Sequence, residues 1–363
     1  MDQPTQPSLS NPLDERVRSN AGPLAIWAGM VVLYFVWGST YIGIRLAVES
    51  IPPFLMAGVR FLIAGALLLG WEWLAIRRIQ ADPTVALADR PTRPTLRQWR
   101  DSAIVGGALL GGGMGLVALG ERTVPAGIAA FLIAMLPVWV AVLGRLFFSE
   151  HLPRAAIVGV VVGLVGVAVL VGPAGTAGGP AFDPFGLLVL LCSPIAWASG
   201  SLYSSHRAVL PRRPLTATGL QMICGGAILM VAAVLTGELS GFDLADVTGR
   251  SAVGLLYLIT VGSLIGFTTY VWLLRVAPLA KVATYAYINP IVAVVLAGLL
   301  LGEPIEPRTA LAGAIIVAGV ALIVTARGRS LARQAAPAEV APSGPKTGEA
   351  ADRRDREPEL SPH

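Results

Sequence analysis

Charge is scarce in this chain. Asp, Glu, Lys and Arg make up 13% of the 363 residues, about half the roughly 25% of a soluble domain. The shortfall lies in long apolar runs. That argues against one large soluble core and for an α-helical protein that crosses a membrane many times. Cysteine is scarcer still. Cys192 and Cys224 both fall inside apolar runs, so no disulfide framework follows. Three histidines, one of them His363 at the C-terminus, are too few for a metal site or a histidine-based catalytic centre. No cofactor is implied. Lysine is limited to Lys281 and Lys346, a usage that fits a GC-rich bacterial genome. The net charge of +5 does not point to nucleic acid, because the basic residues sit at helix ends and in tails. No Asp or Glu lies deep in an apolar run. A membrane-embedded enzyme would need a nucleophile–base set there, and none is visible.

What the chain has is ten apolar segments of roughly 17–25 residues, each long enough for a ~30 Å hydrocarbon core. They fall near 24–46, 53–76, 101–119, 126–148, 154–171, 184–206, 215–236, 251–274, 282–301 and 307–326. Residues 1–22 are polar and aperiodic, and residues 327–363 return to Arg, Pro, Glu and Ser. Both read as disordered cytoplasmic tails. The first residues also lack the cationic start and cleavage site of a signal peptide. Prolines such as Pro53, Pro173, Pro211 and Pro307 stop or start helices. The longest internal loop, about 77–100, carries six arginines and reads as a solvated cytoplasmic loop.

The positive-inside rule gives the orientation. With the N-terminus in the cytoplasm, the tails and the loops after segments 2, 4, 6 and 8 hold 22 of the 27 Lys and Arg. The opposite loops hold Arg45, Arg122, Arg250 and Arg308, and Arg60 is left inside a segment. This predicts a multi-pass protein of the bacterial inner membrane with both termini cytoplasmic.

Two stretches echo each other. Ile128 to Glu150 reads IAAFLIAMLPVWVAVLGRLFFSE, and Lys281 to Glu303 reads KVATYAYINPIVAVVLAGLLLGE. Each is apolar, interrupted by proline and closed by glutamate. One spacing of 153 residues relates Pro125 to Pro278, Pro137 to Pro290, Glu150 to Glu303 and Gly166 to Gly319. A spacing of 160 relates Trp37 to Trp197 and Ser39 to Ser199, so a short insertion or deletion separates the two registers. The units are read as 23–173 and 183–326. Five crossings per unit is an odd number, so the second unit enters the membrane upside down. The fold expected is all-α: a polytopic membrane protein of ten transmembrane helices in two inverted five-helix repeats. Such halves can exchange conformations about a site near the midplane.

WGSTYIGIRLAVESIPPFLMAGVRFLIAGALLL in the first two segments, with the ninth segment and the glycine pattern of the tenth, resembles the EamA branch of the drug/metabolite transporter superfamily. The resemblance spans about residues 24–326. It implies ten helices, a central cavity between the halves, and export or exchange of small metabolites such as amino acids. Small multidrug members of that superfamily carry a glutamate in their first helix. The first segment here has none, which counts against proton/cation antiport by that route and leaves facilitated export, exchange or coupling through a less obvious group.

Several side chains are candidates for the cavity. Arg60 is the one charge well inside a segment, so it is costly there unless it faces the bundle interior. It reads as a counter-ion for a substrate carboxylate, or as a structural arginine bonding helix-end carbonyls. The resemblance implies an arginine here across different substrates, which favours the structural role. Trp37, Ser39 and Tyr41 offer a flat face and hydroxyls, and Trp197 is the counterpart of Trp37. The same residues also suit a helix contact at the interface. Tyr285 and Asn289 are four apart and share a helix face. Pro137 and Pro290 each free a carbonyl and bend their helices, as packing features or as hinges. The glycine-rich third segment suits close helix approach, or a flexible gate. Glu150 and Glu303 are placed at helix ends with structural roles. The partners expected are a small-molecule substrate and the lipid bilayer, with no nucleic acid, in a monomer or homodimer. A non-transporting sensor or scaffold and a membrane-embedded enzyme are the competing readings.

Overall fold

The computed structural model describes residues 22–81, 92–150, 152–171 and 183–335, and all of their regular structure is helical. The ten crossing elements are α1 (Pro23–Ala47), α2 (Pro53–Ala81), α3 (Leu96–Gly120), α4 (Ala126–Phe148), α5 (Arg154–Val171), α6 (Pro184–His206), α7 (Pro214–Leu235), α8 (Gly249–Val276), α9 (Tyr285–Leu301) and α10 (Pro307–Ala335). Among the described residues, nine are long and apolar enough to span a bilayer, and α9 is a shorter tenth. Five of them begin on a proline, whose missing N–H costs nothing in a helix's first turn. Thr95 and Gln98 cap the start of α3 reciprocally, and the Asp183 side chain accepts from the N–H groups of Phe185 and Gly186 at the start of α6.

The bundle turns its apolar surface outward as well as inward. Phe35, Leu67, Val161, Val231 and Leu299 are exposed. A soluble surface does not carry such a belt, and lipid solvates it. Inside, the fourth helix of each half packs on the first helix of the other: α4 on α6 and α9 on α1. The fifth helices, α5 and α10, pack on each other, as do the second, α2 and α7. Glycine permits the closest approach. A Cβ on Gly159 of α5 would stand 2.7 Å from the Gly319 carbonyl of α10.

Two helices are interrupted. α4 breaks at Ala134–Met135, just before Pro137, and the Met135 N–H turns to the Leu132 carbonyl three residues back (3.2 Å). In the second half the break falls at Ala283–Thr284, between a short helix at Leu279–Val282 and the start of α9, six positions before Pro290. There the Ala286 and Tyr287 N–H groups bond to Ala283 and Thr284 (3.1 and 3.2 Å). The interruption therefore recurs in both halves but not at equivalent positions. α3 and α8 each carry a wider π-helical stretch, Gly107–Met114 and Leu258–Ile265.

Several helix ends differ from the hydropathy reading. α2 runs to Ala81 and α3 starts at Leu96, which shortens the arginine-rich loop. α10 continues to Ala335, so the segment from 327 to 335 is helix and not tail. The apolar run ends near 326, but ARGRSLARQ contains good helix formers and meets no proline before Pro337. Hydropathy reports the bilayer's reach, not the helix's. The expected disorder of 1–21 and of 336–363 lies outside the described residues.

Candidate functional site

A cavity of about 100 Å³ lies where the two halves face each other. The first half lines it with Trp37, Thr40 and Tyr41 from α1, Arg60 and Phe61 from α2, Met114 and Val117 from α3, and Ile133 and Leu136 at the break in α4. The second half adds Ser193, Pro194 and Trp197 from α6, Phe267 from α8, and Tyr285 and Asn289 from α9. The walls are mostly apolar with a few polar groups, as in a site for a small solute. The volume is below the roughly 300 Å³ at which pockets for drug-sized ligands begin.

Arg60 is the only formal charge in this lining, at 3% exposure. Its Nε donates to Ser263 Oγ at 3.0 Å, and its guanidinium carbon sits 4.8 Å from the centre of the Phe61 ring. Ser263 belongs to the π-helical stretch of α8, so the second half orients a charge supplied by the first. Asn289 is 8% exposed, and its Oδ1 has no hydrogen-bond partner among the described residues. A buried carbonyl oxygen left unpaired is a costly acceptor in want of a donor.

An aromatic cluster forms one wall. The Trp37 ring lies 4.9 Å from Tyr285, 5.0 Å from Tyr270 and 5.6 Å from Phe267. Negative ring faces at these spacings suit a cation or an apolar group. Each tryptophan rests on a glycine of the other half. A Cβ on Gly266 would meet Trp37 Nε1 at 2.6 Å, and one on Gly113 would meet Trp197 Cε3 at 2.8 Å. Gly113 and Gly266 are themselves separated by the 153-residue repeat spacing. The duplication thus places both indoles by one rule.

Six of the seven side chains singled out in the sequence meet here: Trp37, Tyr41, Arg60, Trp197, Tyr285 and Asn289. Ser39 lies outside this lining. Its hydroxyl donates to the Phe35 carbonyl at 2.5 Å and lies 2.5 Å from the Tyr257 hydroxyl, which ties α1 to α8. Pro137 and Pro290 are not in the lining, although their neighbours Leu136 and Asn289 are. No group of His, Cys, Asp or Glu among the described residues could hold a metal ion.

The sequence reading missed Glu121, which follows α3. It is 0% exposed, and neither carboxyl oxygen has a hydrogen-bond partner among the described residues. Nearby, the Glu303 carboxylate accepts from the N–H groups of Ala126 and Gly127 (3.0 and 3.1 Å) and so caps the start of α4. Arg45 donates to the backbone carbonyls of Glu121 and Arg122. One signal pointed to Glu121: at the repeat spacing its counterpart is Leu274, so the duplication does not account for a carboxyl there.

Comparisons with known proteins agree with this architecture. The model of the EamA-like transporter family matches twice, at residues 24–172 and 184–325. An Escherichia coli K12 protein named "Uncharacterized inner membrane transporter YedA" is 36% identical over 301 residues, 83% of this chain and 90% of its own. A Streptantibioticus cattleyicolor protein named "Probable terminal-alkyne amino-acid exporter" is 28% identical over 82% of this chain and 93% of its own. A Salmonella typhimurium "Probable amino-acid metabolite efflux pump" is 24% identical over 79% of this chain and 90% of its own. A crystal structure of another protein matches with a TM-score of 0.55 at 19% identity. It covers 85% of this chain and 99% of its own, and the likeness concerns the fold alone.

Proposed function

Because the chain belongs to the EamA-like transporter family, whose pattern it carries twice, we propose that it exports or exchanges small amino-acid-like solutes by alternating access through the cavity between its halves. It is a multi-pass inner-membrane transporter and not an enzyme. The finer reading rests on the cavity. Arg60 receives the solute carboxylate, and the Trp37 and Tyr285 faces, with Tyr270 packed against both, receive the ammonium or side chain. Asn289 Oδ1 accepts one N–H from the solute. Trp197 closes the opposite wall. The breaks beside Pro137 and before Pro290 let α4 and α9 bend as the halves rock. Both termini lie in the cytoplasm, so the Glu303 end of the cavity faces the periplasm. Two relatives whose names specify amino-acid export support the substrate class.

The observation that carries the reading is a buried arginine in a mostly apolar cavity between the halves. Purified protein in liposomes preloaded with unlabelled amino acids tests it by counterflow of the labelled solutes. Uptake above empty liposomes for part of the amino-acid panel supports the proposal. No uptake across a wide panel of zwitterions and carboxylates overturns it.

A further inference from the structure

Glu121 differs from the other buried carboxylates. Glu72 accepts from Arg213 Nε at 2.6 Å. Asp101 accepts from the Val209 N–H at 2.7 Å and from the Tyr203 hydroxyl at 3.2 Å, and it pairs with Arg100. Glu121 is as buried, with both oxygens unpaired. An ionised carboxylate in that position would be a buried charge with no hydrogen-bond donor, balanced only through space by Arg45 and Arg60, and burial of that kind favours protonation. The turn itself does not need an acid. The equivalent turn of the second half, before Pro278, has Leu274 at this place.

Its position is informative. Glu121 lies one turn beyond Val117, a lining residue on the same face of α3. Tyr41 and Arg45 are related in the same way on α1, where Tyr41 lines the cavity and Arg45 holds the Glu121 and Arg122 carbonyls. The groups acting on Glu121 are Tyr41 and Arg45 of α1, Arg60 of α2 and Glu303 beyond α9. Glu303 is held to α4 through the Ala126 and Gly127 N–H groups. Glu121 is therefore sealed under the contacts that join the halves at this end, beside a second carboxylate.

We propose that Glu121 binds the proton that closes the Glu303 end of the cavity: one proton from the medium joins the carboxylate as the end shuts and leaves as it opens. Closing strips Glu121 of water, so the ionised form resists closure and the protonated form permits it. The balance is one proton taken up per closure and one released per opening. The cycle assumed here is that of the transport proposal above.

Two measurements test it. Counterflow is followed from acid to alkaline pH, equal on both sides of the membrane. Wild type slows as pH rises, approaching about tenfold per pH unit once Glu121 ionises before closure. Glu121→Gln mimics the protonated form and is flat within about twofold. Glu121→Asp restores the slope. A Glu121→Gln profile that follows wild type overturns the inference while the transport reading stands. The second measurement needs no transport. Infrared difference spectra of wild type against Glu121→Gln at neutral pH show a protonated carboxyl stretch present only in wild type. Its absence overturns the inference whether or not any solute moves.

Discussion

The two halves share a scaffold and differ in chemistry. Both set a tryptophan on a glycine of the partner half, Trp37 on Gly266 and Trp197 on Gly113. Both widen the third helix into a π-helical stretch. Both end the fourth helix on a left-handed residue before the terminal glutamate, Ser149 at φ 53° and Gly302 at φ 67°. The buried charges Arg60 and Glu121 do not repeat. Arg60 has its counterpart near Gln221, and Glu121 has Leu274. The twin glutamates part company as well. Glu303 caps α4, whereas Glu150 pairs with Arg327 and lies 3.4 Å from His206. What is copied twice builds and moves the fold. What stands in one half only is where the proposals above put solute and proton chemistry.

Removing a charge held by one half has the largest effect. Arg60→Ala should lower counterflow of carboxylated solutes at least about 30-fold, the consequence of leaving a buried carboxylate without its partner. Gln221→Ala, the same change in the other half, should stay within about threefold, since no ionic contact is lost.

Crowding the shared scaffold comes next. Gly113→Ala and Gly266→Ala each force an indole to shift, because the added Cβ would stand under 3 Å from it. Overpacking of this kind costs about 1–3 kcal/mol. Thermal unfolding should show similar losses for the two variants. A large loss in one and none in the other would break the equivalence of the halves.

Smaller still is the difference between the twin glutamates. Glu303→Gln weakens the charge at the start of α4 and should cost about 0.3–1 kcal/mol. Glu150→Gln leaves that cap intact. Proteolysis or hydrogen exchange at the α4 N-terminus should therefore respond to the first and not the second. The smallest effect is at the caps. Ser149→Gly relieves a left-handed serine and should stabilise by under about 1 kcal/mol, while Gly302→Ser should cost a similar amount.

Much of the fold was legible because it depends on length and apolar composition, which a bilayer reads directly. The ten segments and the duplication needed no contact information. Helix ends were less so. Helix propensity carries α10 to Ala335 after hydropathy has fallen, and capping by Thr95 starts α3 before its apolar run. In the cavity, Arg60 was visible as a costly charge, and Tyr285 and Asn289 as a pair on one face. Ser39 falls outside the lining, and its hydroxyl turns back to its own helix backbone at Phe35. Glu121 was passed over because it follows a helix end, where carboxylates are ordinarily solvated. It is fully buried, and Arg45 of α1 reaches its backbone carbonyl across 76 residues of chain, a contact no local pattern announces.

The account turns on Arg60 meeting a carboxylate. Competition binding of an amino acid against its carboxamide, in wild type and in Arg60→Ala, measures that contact alone. Wild type should prefer the carboxylate by tenfold or more, which is about 1.4 kcal/mol, and Arg60→Ala should bind the two alike. The same preference in both proteins would contradict the account.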